Sequence, residues 1–76
     1  MAELLAYLAR ELVDEPDQVR VETEERDDAI VLRLRVAPDD VGKVIGRAGR
    51  IARALRAVVR AGAVREDHRV LLEIVE

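Results

Sequence analysis

Val41-Gly42-Lys43-Val44-Ile45-Gly46-Arg47-Ala48-Gly49-Arg50-Ile51 carries two glycines, separated by two residues, inside a run that otherwise favours helix. Lacking Cβ, Gly46 and Gly49 can each take backbone angles closed to other residues and let a ligand backbone come close. The helix that restarts at Arg50 turns its free amide hydrogens and the positive end of its dipole toward the loop. Arg47 lies within the loop and Arg50 just past it. An anion is the natural occupant.

Downstream, Arg50 to about Ala61 reads as a helix with Ile51, Leu55 and Val58 on its core face and Gly62 as its terminator. Arg53, Arg56 and Arg60 fall within about 60° of one another on a helical wheel, and Arg50 lies about 60° further round. This basic stripe is separate from the apolar face. It suits a sugar-phosphate backbone, with neighbouring apolar residues left to touch bases. Upstream, Pro38 ends an apolar strand, and Asp39 or Asp40 is placed to cap a short helical turn over Val41–Ile45.

Charge supports the same stretch. From Val41 to Arg65 there are seven basic residues and no acidic ones, whereas residues 1–40 hold five bases and twelve acids. The net charge of −3 therefore hides a local positive field on an acidic chain.

The remaining elements follow from periodicity. Leu4, Leu5, Leu8 and Leu12 recur at helical spacing, and Asp14-Glu15-Pro16 closes that helix near Val13. Val19, Val21 and Thr23 alternate with charged residues as a half-exposed strand. Glu25-Arg26-Asp27-Asp28 reads as a turn. Ile30, Leu32, Leu34 and Val36 alternate with Val31, Arg33 and Arg35 as a second strand. Val70, Leu72 and Ile74 form a closing strand, with Leu71 and Val75 on its other face. The order is helix–strand–strand–helix–helix–strand across one domain, residues 1–76. An α+β two-layer sandwich is expected, a three-stranded mixed sheet covered by three helices.

Val44-Ile45-Gly46-Arg47-Ala48-Gly49-Arg50-Ile51 resembles the signature of KH domains, a two-glycine loop with flanking apolar residues. The element order resembles the bacterial, type II form of that fold, and the size resembles the small bacterial single-KH proteins of the KhpA family. The resemblance covers nearly the whole chain. It implies a groove between the glycine-loop helices and the closing strand, holding about four nucleotides of single-stranded RNA. It implies backbone contacts from Gly46 and Gly49, with Arg47 and Ala48 as the variable pair between them. Val44, Ile45 and Ile51 take the apolar positions around the loop. Lys43 and Arg50 would supply rim charge, Arg53 would extend it, and Arg69 and Leu71 would stand on the opposite wall. The stretch from Gly62 to His68 takes the place of the family's variable loop. Members of such a family are RNA chaperones or post-transcriptional regulators, and the resemblance further implies a homodimer, or a heterodimer with a second KH-containing protein.

Other classes fit less well. Gly42, Gly46 and Gly49 have neither the dinucleotide nor the phosphate-loop spacing. The chain has no serine and no cysteine, so no nucleophile–base–orienter set can be assembled, and no enzyme activity is expected. Without cysteine, and with His68 as its one histidine, it offers no metal cage and no disulfide, so neither a metal nor another cofactor is expected. Self-association is the remaining stabiliser for so small a domain. No stretch has the length of a membrane span or the layout of a signal peptide, which places the chain in the cytoplasm. Tyr7, the sole aromatic, reads as a packing residue rather than a base-stacking platform. The alternative reading is a KH-fold protein-interaction module with little RNA binding of its own.

Overall fold

The computed structural model describes residues 1–63 and 69–75. The expectations for His68 and for the loop before it fall on residues 64–68 and lie outside the described residues. The elements run α1 (Ala2–Leu12), β1 (Arg20–Arg26), β2 (Ala29–Arg35), α2 (Val41–Ile45), α3 (Arg50–Ala63) and β3 (Arg69–Val75). Short 3₁₀ turns at Pro16–Gln18, Pro38–Asp40 and Arg47–Gly49 join them. The order is the one the periodicity implies.

The sheet order is β1-β2-β3. β1 pairs antiparallel with β2, and β2 pairs parallel with β3, so the sheet is mixed and β3 is an edge. Register sets Val21, Leu34 and Ile74 side by side, with Thr23, Leu32 and Leu72 in the next row. Those rows face the helices. The expected four-residue turn shrinks to Asp27-Asp28, because Glu25 and Arg26 still pair with Ile30 and Ala29. Asp27 takes a φ of 52°, a left-handed angle that aspartate visits more readily than most residues.

One core binds these pieces, built around Leu5, Val19, Leu32, Leu34, Val36, Val44, Leu55, Val59 and Leu72. Truncating a residue such as Leu34 to alanine would cost about 2–5 kcal/mol. The register exposes two departures from simple alternation. Thr23 is exposed, since it lies toward the hairpin tip. Val31, on the face away from the helices, is only 1% exposed. It stands in register between Glu24 and Leu71, and the Arg33–Glu24 bridge crosses that face. Arg26, Arg33 and Arg35 there all have carboxylate partners among Glu22, Glu24 and Glu73.

The helices are rotated from the expected orientation, and small residues explain why. In α1 the buried residues are Leu5, Ala6 and Ala9, with Leu8 and Leu12 half-buried and Leu4 exposed. In α3 they are Ala52, Leu55, Val59 and Ala63, while Ile51 and Val58 sit half-buried at the flank. Alanine at the contact lets each helix lie close on the sheet and moves the larger side chains to its sides. Tyr7 is exposed rather than packed. Gly62 does not end α3, which runs on to Ala63. It lies within the helix against the Met1 side chain, where a Cβ would overlap Met1 Cε.

Candidate nucleic-acid interface

The site begins with how α2 is held. Asp40 does not cap α2 through its side chain. Its buried carboxylate instead reaches back to the turn after α1, accepting the backbone N–H of Asp14 at 3.2 Å and of Glu15 at 3.0 Å. Lys43 Nζ closes the arrangement, 2.5 Å from an Asp14 oxygen and 3.4 Å from Asp40. Desolvation works against charge on Asp40, but the two backbone N–H groups and Lys43 together outweigh it and hold the carboxyl below its ordinary value. Lys43 is raised, first by its hydrogen bond to Asp14 and against desolvation, with Asp40 adding to it. The start of α2 is thereby tied to the end of α1.

α2 then stops sharply at Gly46, whose φ of 75° and ψ of 170° lie in a region essentially reserved for glycine. A Cβ there would overlap Ile51 Cγ1 and stand 3.0 Å from the Ile51 amide nitrogen. Gly46 is thus needed for both angle and space. Gly49 has a φ of 74° but nothing within 4 Å of where its Cβ would sit. Between them Ala48 takes a left-handed φ of 56° and ψ of 24°, which costs a non-glycine residue about 1–2 kcal/mol.

This turn decides which amides face outward. The Gly46 N–H bonds to Gly42 O, the Gly49 N–H to Gly46 O, and the Arg50 N–H to Arg47 O. The amides of Arg47 and Ala48 have no acceptor among the described residues. Successive N–H groups around a left-handed residue form a concavity suited to an anion. Both residues are exposed.

Arg47, Arg50, Arg53, Arg56 and Arg60 are exposed and have no carboxylate partner among the described residues. The contrast with the ion-paired arginines of the sheet face is complete. On α3 the stripe is slanted. Arg50 points away from the core, Arg53 lies about 60° round from it, and Arg56 about 120° round, toward β3. Arg56, Val59 and Arg60 line a cleft of about 250 Å³ against Val70, Leu71 and Leu72 of β3.

The sequence-derived residues therefore divide. Ile45, Arg47, Ala48, Arg50 and Arg53 are exposed and Gly46 and Gly49 half-buried, all around one turn. Val44 is fully buried and belongs to the core, where it anchors α2. Lys43 has its charge engaged by two aspartates. Ile51 packs beneath Gly46 and lines a groove with Leu8 and Leu12 of α1, on the side of α3 away from β3. Arg69 and Leu71 are exposed on β3. Sequence reasoning missed the Asp40 anchor, which had no local signal, since its partners lie in another turn. It expected an arginine stripe on α3 and a groove against the closing strand, and the rotation of α3 brings Arg56 and Arg60 of that stripe to the cleft against β3.

Residues 2–74 match the family described as KhpA/KhpB, KH domain. The chain is similar to the RNA-binding protein KhpA of Clostridium acetobutylicum, 51% identical over 75 residues, covering 99% of this chain and all of that one. It is 51% identical to the protein of that name from Treponema pallidum over 74 residues, 97% of this chain and 92% of the relative. It is 46% identical to that of Halalkalibacterium halodurans over the full length of both. With the family matched from the first helix into the last strand, the chain belongs to the KhpA/KhpB family of KH-domain proteins.

Proposed function

We propose that this chain binds short single-stranded RNA without catalysis, holding the phosphodiester backbone at the Gly46–Gly49 turn and the bases in the cleft between the glycine-loop helices and β3. The observation that carries this is the pair of amides at Arg47 and Ala48 that lack an acceptor among the described residues, exposed at the head of a stripe of arginines with no carboxylate partner among those same residues. The names of the relatives, RNA-binding proteins, support it. Ile45 offers apolar surface beside the turn, being 39% exposed. Gly46, Gly49, Arg50 and Arg53 complete the contact, while Lys43, Val44 and Ile51 hold the turn in place. An RNA-chaperone or post-transcriptional role in the cytoplasm follows from such binding.

One domain with few phosphate contacts binds weakly, on the order of micromolar, and three contacts give a salt slope of roughly −2 for a single strand. The test is Arg47→Asp with Ala48→Asp, followed by fluorescence anisotropy with a single-stranded RNA. Aspartate tolerates the left-handed angle at 48, so the fold survives while two carboxylates face the phosphates. Binding should be abolished. Parent-like affinity in the double variant, or a preference for duplex RNA, would sink the reading.

A second reading rests on a different surface. Leu8, Leu12, Ile51, Ala54, Leu55 and Val58 line an apolar groove of about 320 Å³ between α1 and α3. Pairing there with a second KH-containing chain, a copy of this one or a relative, would leave the arginine stripe free. Sedimentation of the protein alone, with and without RNA, separates a binding protein that dimerises from an interaction module that ignores RNA.

A further inference from the structure

Lys43 is the chain's one lysine beside twelve arginines, and it stands three residues before Gly46, at the entrance to the glycine turn. Its ammonium lies 2.5 Å from an Asp14 carboxylate oxygen and 3.4 Å from Asp40. The two carboxylates are not equivalent. Asp40 is only 2% exposed, and its oxygens are already held by the backbone N–H groups of Asp14 and Glu15. The Asp14 side chain is 77% exposed, and Lys43 is its one partner among the described residues. What ties α2 to the turn after α1 is therefore the Asp40 carboxylate and the backbone of that turn, neither of which needs the Asp14 side chain. An ion pair this exposed is worth little. Lysine also suits an exchange of partners, being a compact ammonium with three donors on a flexible stem, where arginine would grip Asp14 with a planar fork.

Resting on the reading that the glycine turn holds RNA, we propose that Asp14 sets the strength of that binding, by competing with a phosphate of the strand for Lys43. Lys43 lies about 4.5 Å along α2 from Gly46, so a strand seated at the turn comes within reach of its side chain. The phosphate takes the ammonium from Asp14, while Asp40 keeps its two backbone donors. One anion replaces another at Lys43. The freed Asp14 carboxylate collects a solvent cation as the phosphate sheds one, so the contact adds almost nothing net to affinity or to salt dependence. A neutral side chain of the same shape at position 14 removes the competitor and lets the contact show.

The experiment measures anisotropy of the full chain with a short single-stranded RNA across a salt series. Asp14→Asn should tighten binding about twofold to fivefold at low salt, the size of one exposed ion pair. Its salt slope should steepen by roughly 0.7, one phosphate contact on a single strand. Glu15→Gln removes an equal charge from the same turn, and the exposed Glu15 side chain is not a partner of Lys43. It should leave the slope at the parent value. With Lys43→Gln in place, Asp14→Asn should bring no steepening, since no ammonium remains to be released. The side chains of Asp14 and Glu15 are exposed, so both single variants fold, and circular dichroism verifies it. If Lys43→Gln does not fold, the comparison of the two single variants decides alone. An unchanged or weaker affinity in Asp14→Asn, an equal steepening in Glu15→Gln, or a steepening that survives Lys43→Gln would overturn the competition while leaving the glycine-turn reading standing. A parent protein that binds no single-stranded RNA would overturn both.

Discussion

The Asp40 carboxylate accepts the backbone N–H of Glu15 at 3.0 Å across 25 residues of chain, and this bond helps fix where α2 and the glycine turn after it stand relative to the rest of the fold. Its companion bond to the Asp14 N–H leaves neither carboxylate oxygen idle. α2 is only five residues long and could not hold a direction alone. The anchor comes from the opposite end of the layer, through one buried charge.

That charge gives the fold a pH dependence of known sign. The folded-state value of Asp40 lies below its ordinary 3.8, so its contribution is complete above that value and is lost as pH falls through the lowered one. Glu24, lowered first by its hydrogen bond to Arg26 and then by that to Arg33, acts in the same sense from 4.5 downward. Lys43 is raised above 10.5, so its share persists at low pH and is lost only as pH rises through the raised value. Urea denaturation across pH 2–7 should show stability falling below about pH 4. Asp40→Asn should flatten part of that acid limb, and Asp40→Ala should destabilise at every pH by stranding two backbone donors.

The two loop glycines should respond differently. Gly46→Ala meets both a glycine-only conformation and Ile51, and should cost about 1–3 kcal/mol or more. Gly49→Ala meets open space and should cost about 1–2 kcal/mol for the left-handed angle alone. Adding Ile51→Ala to Gly46→Ala removes only the Cγ1 contact and leaves the Cβ and amide of residue 51 and the backbone angle, so thermal unfolding of the double variant should show no return to parent stability.

Gly62→Ala should stabilise. Glycine in a helix interior is about 0.5–1 kcal/mol worse than alanine, and the obstructing atom is the far end of a flexible, 38% exposed Met1 side chain. The melting temperature should rise by about 2–8 °C, and a fall would mean that the Met1 contact outweighs the backbone term.

Much of this molecule was legible before its coordinates. The alternation of Ile30, Leu32 and Leu34 carried the central strand, and the two loop glycines carried the break between α2 and α3. Helix rotation was not legible, because leucine spacing in α1 competes with alanines that pack closer, and hydrophobicity alone ranks Leu4 above Ala9. The end of α3 was misjudged at Gly62 because that glycine answers a contact with Met1, sixty-one residues away in sequence. The ion pairs of Lys43 were hidden for the same kind of reason. A lysine beside a basic loop reads as ligand charge, and nothing local shows that the turn after α1 brings Asp14 to it.

The central claim is that RNA is held at the open amides of Arg47 and Ala48. The most direct measurement is a ¹H–¹⁵N titration of the labelled protein with a short single-stranded RNA, read amide by amide. The largest shifts should fall on Arg47 and Ala48, followed by Gly46, Gly49 and the first turns of α3, with β3 responding along its edge. Shifts confined to α1, or to the ion-paired face of the sheet, with Arg47 and Ala48 unmoved, would contradict it.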